Sequence, residues 1–289
     1  MTGRTARRRV LRIALPDGPM PASPVQRADL LAAEEPLGIR IGGQALTLTM
    51  RTPGDDIDLV AGFLVSEGII GCAADLASLR ICSGERCGHD DAEHHGLGNV
   101  ADVTLAAGVE PRPGQRRNFL TTSACGVCGK TSIEELFVSG NYQLPGDGTR
   151  VTPQVLAGLP PALRAAQRVF DKTGGLHAAG LFTAAGELLA VREDVGRHNA
   201  VDKIIGWALR AGRLPLAGCV LLVSGRASFE LVQKAVLAGI PVLAAVSAPS
   251  SLAADLAQEA GLTLVGFLRG RSMNVYAHPE RVQSLTAQR

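Results

Sequence analysis

The sequence has little net charge and no long apolar run, and each absence excludes a class of function. Its 29 Lys and Arg residues nearly balance 27 Asp and Glu residues, giving a formal charge of +2. A general nucleic-acid binder is therefore not expected, and any affinity for anions must come from local clusters. No stretch is long and apolar enough to span a membrane. With 46% hydrophobic residues, the chain can build one large domain or two smaller ones.

The six cysteines occur without a recognisable secretory leader. Arg7-Arg8-Arg9 faintly resembles a twin-arginine export motif, but Pro16 and Pro19 interrupt the apolar run that such a signal requires. We therefore expect a cytoplasmic protein whose thiols serve as free groups, metal ligands or redox groups rather than as a disulfide framework. Residues 1–33 are predicted to be a disordered basic tail.

The ordered chain is predicted to be α/β, with a smaller α+β domain over residues 34–145 and a second domain over 146–289. In the first, residues 39–41 and 46–50 alternate as strands do, around a Gly42-Gly43 turn. A helix is expected over 55–67 and a strand over Val100–Leu105.

The second domain shows repeated strand-helix patterns. A hairpin is predicted over 176–183 and 187–192, followed by a helix with Asn199 as N-cap. Continuous apolar strands follow at Cys219–Val223, 241–246 and 262–268, with helices after the first two. This pattern is typical of parallel β-α-β units buried on both faces, whose ligands bind beyond the carboxyl ends of the strands.

All three of these strands end in glycine, serine or arginine. The candidate anion contacts are Ser224, Arg226, Ser247, Arg269, Gly270 and Arg271. Free N–H groups at helix starts bind phosphate oxygens, and arginine adds charge-assisted hydrogen bonds. A phosphate-bearing nucleotide is the natural class of ligand.

Residues 192–203 contain an unusual density of charged side chains between a strand and a helix. One interpretation is a solvated turn with a helix cap; the other places Arg197, His198 or Lys203 against a ligand. The sequence does not separate the two. His177 can likewise be a ligand contact or a packed histidine.

The sharpest motif is Cys125-Gly126-Val127-Cys128, in a stretch of small residues just before a predicted helix. The helix start and Lys130 should favour the thiolate, which is the nucleophilic form of cysteine. A zinc site would need further ligands from Cys82, Cys87, His89, His94 and His95. A thioredoxin-type dithiol is disfavoured because the loop lies far before the parallel units. Deaminase chemistry is not expected, since no H-x-E element precedes the pair.

Taken together, these motifs resemble the formate dehydrogenase accessory sulfurtransferase family, FdhD. The matching stretches are 34–37, 50–54, 62–64, 67–70, 123–130, 173–177, 193–203, 224–234, 247–252 and 266–276. They cover nearly the whole ordered chain, which makes the resemblance specific where the paired cysteines alone would not be.

The resemblance implies a cytidine-deaminase-like fold for the second domain, and a homodimer. It implies a sulfurtransferase that takes sulfur from a cysteine desulfurase as a persulfide on Cys125, with the role of Cys128 left open. The acceptor would be molybdenum bis(molybdopterin guanine dinucleotide), needed by formate dehydrogenase and mimicked by GDP. Cofactor binding maps onto Phe267, Leu268, Arg269, Gly270, Arg271 and Ser272. The alternatives are a cofactor chaperone without sulfur chemistry and a zinc-stabilised nucleotide-binding module.

Overall fold

The computed structural model describes residues 3–15, 23–82, 99–110, 144 and 146–283. Its strands are β1 (Thr5–Ala14), β2 (Ser23–Ala32), β3 (Glu35–Ile41), β4 (Gln44–Arg51), β5 (Leu76–Cys82), β6 (Val100–Leu105), β7 (His177–Thr183), β8 (Leu188–Asp194), β9 (Cys219–Val223), β10 (Val242–Ala245), β11 (Thr263–Arg269) and β12 (Ser272–Ala277). Its α-helices are α1 (Asp56–Ser66), α2 (Pro153–Ala166), α3 (Phe170–Thr173), α4 (Arg197–Arg210), α5 (Phe229–Leu237) and α6 (Ser251–Ala260).

The larger sheet has the strand order β12-β11-β10-β9-β7-β8. Strands β9, β10 and β11 are parallel and are joined by α5 and α6, which confirms the predicted β-α-β units. The predicted hairpin is also confirmed as β7 and β8, and β7 pairs antiparallel with β9. The chain is therefore of mixed α/β class, whereas the cytidine-deaminase-like architecture stays a prediction.

Successive residues of the central strands enter two different cores. Leu221 and Leu243 pack into one hydrophobic cluster, and their neighbours Leu222 and Ala244 pack into the other. Every residue of β9 and β10 is buried. A strand with cover on both faces needs apolar residues at every position, and this is why these two segments are continuous apolar runs.

The smaller sheet has the order β4-β3-β6-β5. The predicted Gly42-Gly43 turn joins β3 to β4, with φ values of +56° and +80°. Both central residues of a type I′ hairpin turn need positive φ, so two glycines suit this position. The predicted helix and the predicted strand are found as α1 and β6.

The two sheets share one core cluster, and α1 packs against α4 where glycines face each other. A Cβ on Gly62 would lie 1.8 Å from the carbonyl oxygen of Asp202, and one on Gly206 would lie 1.8 Å from that of Asp58. Only glycine permits so close an approach of two helix backbones. The boundary predicted at residues 145 and 146 stays a prediction.

The structure corrects two expectations and adds four elements. Within the segment expected to be a disordered tail, β1 and β2 form an antiparallel pair. The end of this pair is held by the Ala33 N–H, which donates to the Arg4 carbonyl, and by an Arg4–Asp55 ion pair. Helix α4 begins at Arg197 with Gly196 as N-cap, so Asn199 does not cap it. Strands β5 and β12 and helices α2 and α3 had no predicted counterpart.

Within the residues described above, no helix has the length and apolar character required to cross a membrane.

Candidate functional site

The predicted strand-end turns lie side by side at one edge of the larger sheet, called the carboxyl edge because β9, β10 and β11 end there. The Ser247 N–H donates to the Gly225 carbonyl over 3.2 Å, and the Phe267 N–H donates to the Ser247 carbonyl over 3.1 Å. These hydrogen bonds continue the parallel ladder beyond the strands. The expectation that the three turns share one edge is therefore confirmed.

The turn after β11 leads to a strand, and no helix was predicted after it. No helix follows it; Arg269 pairs directly with Ser272 across a tight hairpin to β12. Phe267 lies in a bulge with φ +51°, which is rare for a bulky side chain and is a pointer to a functional position. The Arg269 guanidinium carbon lies 5.5 Å from the centre of the Phe267 ring, within range of a cation–π contact.

Exposure separates the predicted contact residues. Arg226 and the turn Arg269, Gly270, Arg271 and Ser272 are exposed, and Phe267 is half-buried. Leu268 is fully buried in the core, so its side chain is closed to a ligand. Ser224 Oγ accepts a hydrogen bond from the Ala178 N–H over 2.9 Å and so holds the start of β7.

A second group of side chains reaches the carboxyl edge from β7, α4 and α5. Because β7 runs antiparallel to β9, its first residue, His177, lies beside the end of β9. A Cβ built on Gly225 would lie 3.4 Å from His177 Nδ1 and 3.9 Å from Arg197 Cδ. His198 Nε2 lies 3.1 Å from Ser228 Oγ and 2.8 Å from the Glu230 carboxylate.

The environment of His177 favours its neutral form. Burial lowers the pKa of the imidazole below its ordinary value, and the positive charges of Arg197 and His198 lower that pKa further, against the raising effect of Asp194. The free protein therefore holds His177 as a neutral ring beside a permanent cation. His177 was a candidate ligand contact from its residue type, but no local sequence pattern indicates that it lies next to Gly225.

The charged stretch 192–203 contains some residues that stabilise the fold and others that reach the carboxyl edge. Lys203 Nζ lies 2.7 Å from Asp194 Oδ2, both side chains are buried, and Lys203 also donates to the Thr52 carbonyl. Asn199 Nδ2 donates to the Met50 carbonyl and to Asp194 Oδ1. These contacts fasten the start of α4 to the smaller sheet, so of the three residues considered for ligand contact Lys203 supports the fold instead. Arg197 and His198 are the members that reach the edge.

The thiols of the Cys125–Cys128 motif lie outside the described residues. Of the described free cysteines, Cys72 is exposed and Cys219 is buried, where burial raises the pKa of its thiol. Cys219 is therefore poorly suited to act as a nucleophile. Of the possible zinc ligands, Cys82 ends β5 and is disulfide-bonded, contrary to the expectation of free thiols. Cys87, His89, His94 and His95 fall outside the described part. Within that part, no cluster of His, Cys, Asp and Glu could hold a metal ion.

Comparison with known proteins gives concordant results over nearly the whole chain. The model of the FdhD/NarQ family matches residues 32–283. A "Sulfur carrier protein FdhD" from Nocardia farcinica is 60% identical over 99% of this chain and 98% of its own length. One from Mycolicibacterium paratuberculosis is 56% identical over 96% and 98%. A crystal structure of a protein described as a formate dehydrogenase accessory protein, from Desulfotalea psychrophila, aligns with TM-score 0.70 and 22% identity over 96% of this chain and 99% of that one.

Proposed function

The chain belongs to the FdhD/NarQ family, and from that premise we propose that it carries sulfur as a persulfide on Cys125. The sulfur comes from a cysteine desulfurase and passes to molybdenum bis(molybdopterin guanine dinucleotide), the form of the cofactor that formate dehydrogenase uses. Relatives of similar length at 56–60% identity are named sulfur carrier proteins, which supports a role in sulfur transfer. The homodimer and the cytoplasmic location predicted above belong to the same proposal.

Loading of the carrier is a thiolate exchange. The Cys125 thiolate attacks the outer sulfur of the desulfurase persulfide, the sulfur–sulfur bond of that persulfide breaks, and the desulfurase cysteine leaves as a thiolate. Glycines flank the motif and Lys130 is nearby in sequence, features that suit an accessible and nucleophilic thiol. Cys219, by contrast, is held as a buried thiol and should stay unloaded.

The observation that carries the substrate assignment is the composition of the carboxyl edge. Arg226, Arg269 and Arg271 are exposed there, and the Phe267 ring is stacked with the Arg269 guanidinium. A purine base can stack on an aromatic ring or on a guanidinium plane, and arginines bind phosphate oxygens through charge-assisted hydrogen bonds. The edge thus offers both contacts that a guanine dinucleotide needs.

Mass spectrometry tests the sulfur-carrier proposal. Incubation of the full-length chain with a cysteine desulfurase and cysteine should add one sulfur atom to its intact mass, removable by a thiol reductant. Cys125→Ala should abolish the addition, whereas Cys72→Ala, which changes an exposed free cysteine, should leave it unchanged. Equal loading of wild type and Cys125→Ala would contradict the proposal.

Calorimetry with GDP tests the substrate site. Arg269→Ala removes both the stacking partner of Phe267 and an exposed cation, and should weaken GDP binding by about 1.5–3 kcal/mol if a charge-assisted contact is lost. Arg213→Ala is a matched control, since Arg213 lies over Trp207 in the connection that leads to the opposite end of β9. Unchanged GDP affinity in Arg269→Ala would place the nucleotide elsewhere.

A further inference from the structure

Arg197 has a guanidinium without a protein partner in the part of the chain that the structure describes. Its Nε is buried and makes no hydrogen bond. The Nε atoms of Arg192 and Arg281 also lack a hydrogen bond, but those guanidinium groups are fixed by other contacts, Arg192 to Asp58 and Arg281 to the carbonyls of Gly261 and Leu144. A buried polar group without a partner costs free energy, so it marks a place where a ligand can supply the missing acceptor.

The carboxylates near Arg197 already contact other side chains. Asp194 pairs with Lys203 over 2.7 Å, and Glu230 lies 2.8 Å from His198. Arg197 and Arg226, in contrast, form no ion pair with any described residue. This end of the edge therefore holds positive charge that the described part of the protein does not neutralise, which is the electrostatic condition for binding an anion.

The space beside Arg197 is set by a glycine. Gly225 presents bare backbone between the His177 imidazole and the Arg197 side chain, with ring atoms of His177 3.4 Å from where a Cβ would stand. An imidazole and a guanidinium that flank exposed backbone can donate hydrogen bonds to one group from two sides. Phosphate, with several acceptor oxygens, fits such a set better than a singly charged, planar carboxylate.

The position of Arg197 and His177 along the carboxyl edge indicates in which direction the substrate lies across it. Strand spacing of about 4.8 Å places the ends of β9 and β11 roughly 10 Å apart, with β7 one strand further. The stacked pair Phe267 and Arg269 stands at the β11 end, and Arg197 and His177 stand at the β7–β9 end. That separation is comparable to the length of an extended nucleotide and exceeds that of a single phosphate.

We propose that Arg197 and His177 bind the diphosphate of the guanine dinucleotide whose base stacks at Phe267 and Arg269. This inference rests on the substrate proposed above and deepens it. It moves the main phosphate contacts from the Arg269–Arg271 turn to the opposite end of the carboxyl edge. His177 faces Arg197, His198 and Asp194. A bound diphosphate places negative charge beside the imidazole, which is neutral in the free protein. Binding should therefore raise the pKa of His177 and be accompanied by proton uptake there.

Calorimetry with two probes, GDP and inorganic pyrophosphate, separates the two ends. Arg197→Gln should weaken both probes by about 10- to 100-fold, the range for loss of a charge-assisted hydrogen bond, and Arg197→Lys should recover part of the loss. Arg269→Ala should weaken GDP and leave pyrophosphate unchanged. Thermal melting of each variant near the wild-type temperature confirms that the fold is intact.

Proton uptake is a readout that a merely structural role would not change. The GDP-binding enthalpy of the wild type, measured in buffers of different ionisation enthalpy, should reveal proton uptake near neutral pH, and His177→Gln should remove it. If Arg197→Gln binds both probes as the wild type does while Arg269→Ala loses GDP, this inference is overturned and the proposed substrate stands. If the wild type binds neither probe, both fail.

Discussion

Gly206→Ala should be strongly destabilising although it adds a single methyl group. The new Cβ would stand 1.8 Å from the Asp58 carbonyl oxygen and 2.7 Å from the Gly62 nitrogen, both of which are backbone atoms of α1. Contacts shorter than 3.0 Å essentially never occur at a Cβ, so α1 and α4 must separate by about 1 Å or more. The clashing atoms belong to the helix backbone, so the clash cannot be relieved by a change of side-chain rotamer.

The magnitude follows from two opposing terms. Replacing glycine by alanine inside a helix is worth about 0.5–1 kcal/mol of stability, because the unfolded chain loses freedom. Overpacking of a core costs about 1–3 kcal/mol when side chains can adjust, and more here because they cannot. We expect a net loss of at least about 3 kcal/mol, a large share of the roughly 5–15 kcal/mol that stabilises a typical protein.

Gly158→Ala supplies the matched control. Gly158 is exposed within α2, and a Cβ there would meet no heavy atom within 4 Å. It should raise the melting temperature by about 1–4 °C, whereas Gly206→Ala should lower it by about 6–12 °C or more. Thermal and urea unfolding measure both. If Gly206→Ala matched Gly158→Ala in stability, the close approach of α1 and α4 would be refuted.

Two further perturbations test the scaffold below the carboxyl edge. Lys203→Met removes one partner of a fully buried ion pair and should lower the free energy of unfolding in urea by about 3 kcal/mol. This is at the low end for such losses, because Asp194 Oδ1 and Oδ2 still accept hydrogen bonds from the Gly196 and Thr52 N–H groups. A change below about 1 kcal/mol would show that the ion pair is dispensable. The folded-state pKa of His177 is lowered from 6.5, so the unfolded chain takes up this proton first as the pH falls. The free energy of unfolding therefore decreases as the pH falls below 6.5, until His177 is protonated in the folded state as well. Urea unfolding of His177→Gln across pH 5–7.5 should show a smaller decrease than the wild type, and parallel curves would argue against the shift.

The sequence alone was sufficient where a local pattern has one physical solution. The apolar runs that became β9 and β10 had to be buried on both faces, and Gly42-Gly43 between alternating segments had to form a tight hairpin turn. The carboxyl edge followed as well, because parallel strands end together and Ser224, Ser247 and Arg269 stand at those ends. The resemblance to the FdhD family likewise rested on ordered motifs and was confirmed by the comparisons.

Elements without such a pattern were missed or misjudged. The β1–β2 segment carries arginines at consecutive positions and reads as a solvated tail, yet strand pairing and an ion pair to Asp55 order it. Asn199 has the right chemistry for an N-cap, but tertiary partners use its amide instead and α4 starts earlier. In both places long-range contacts outweighed local preference.

Amino-acid order determined the strands and helices that have a clear local pattern, and it determined which turns carry arginine, because these depend on neighbours within a few residues. Only the tertiary structure decided that Lys203 is buried scaffold while Arg197 has no partner among the described residues, although the two lie in one charged run. It also decided that His177 stands beside Gly225, some fifty positions later in the chain. The reason is that a charged side chain is paired or unpaired according to which groups lie near it, and these groups are distant in sequence and brought close only by folding.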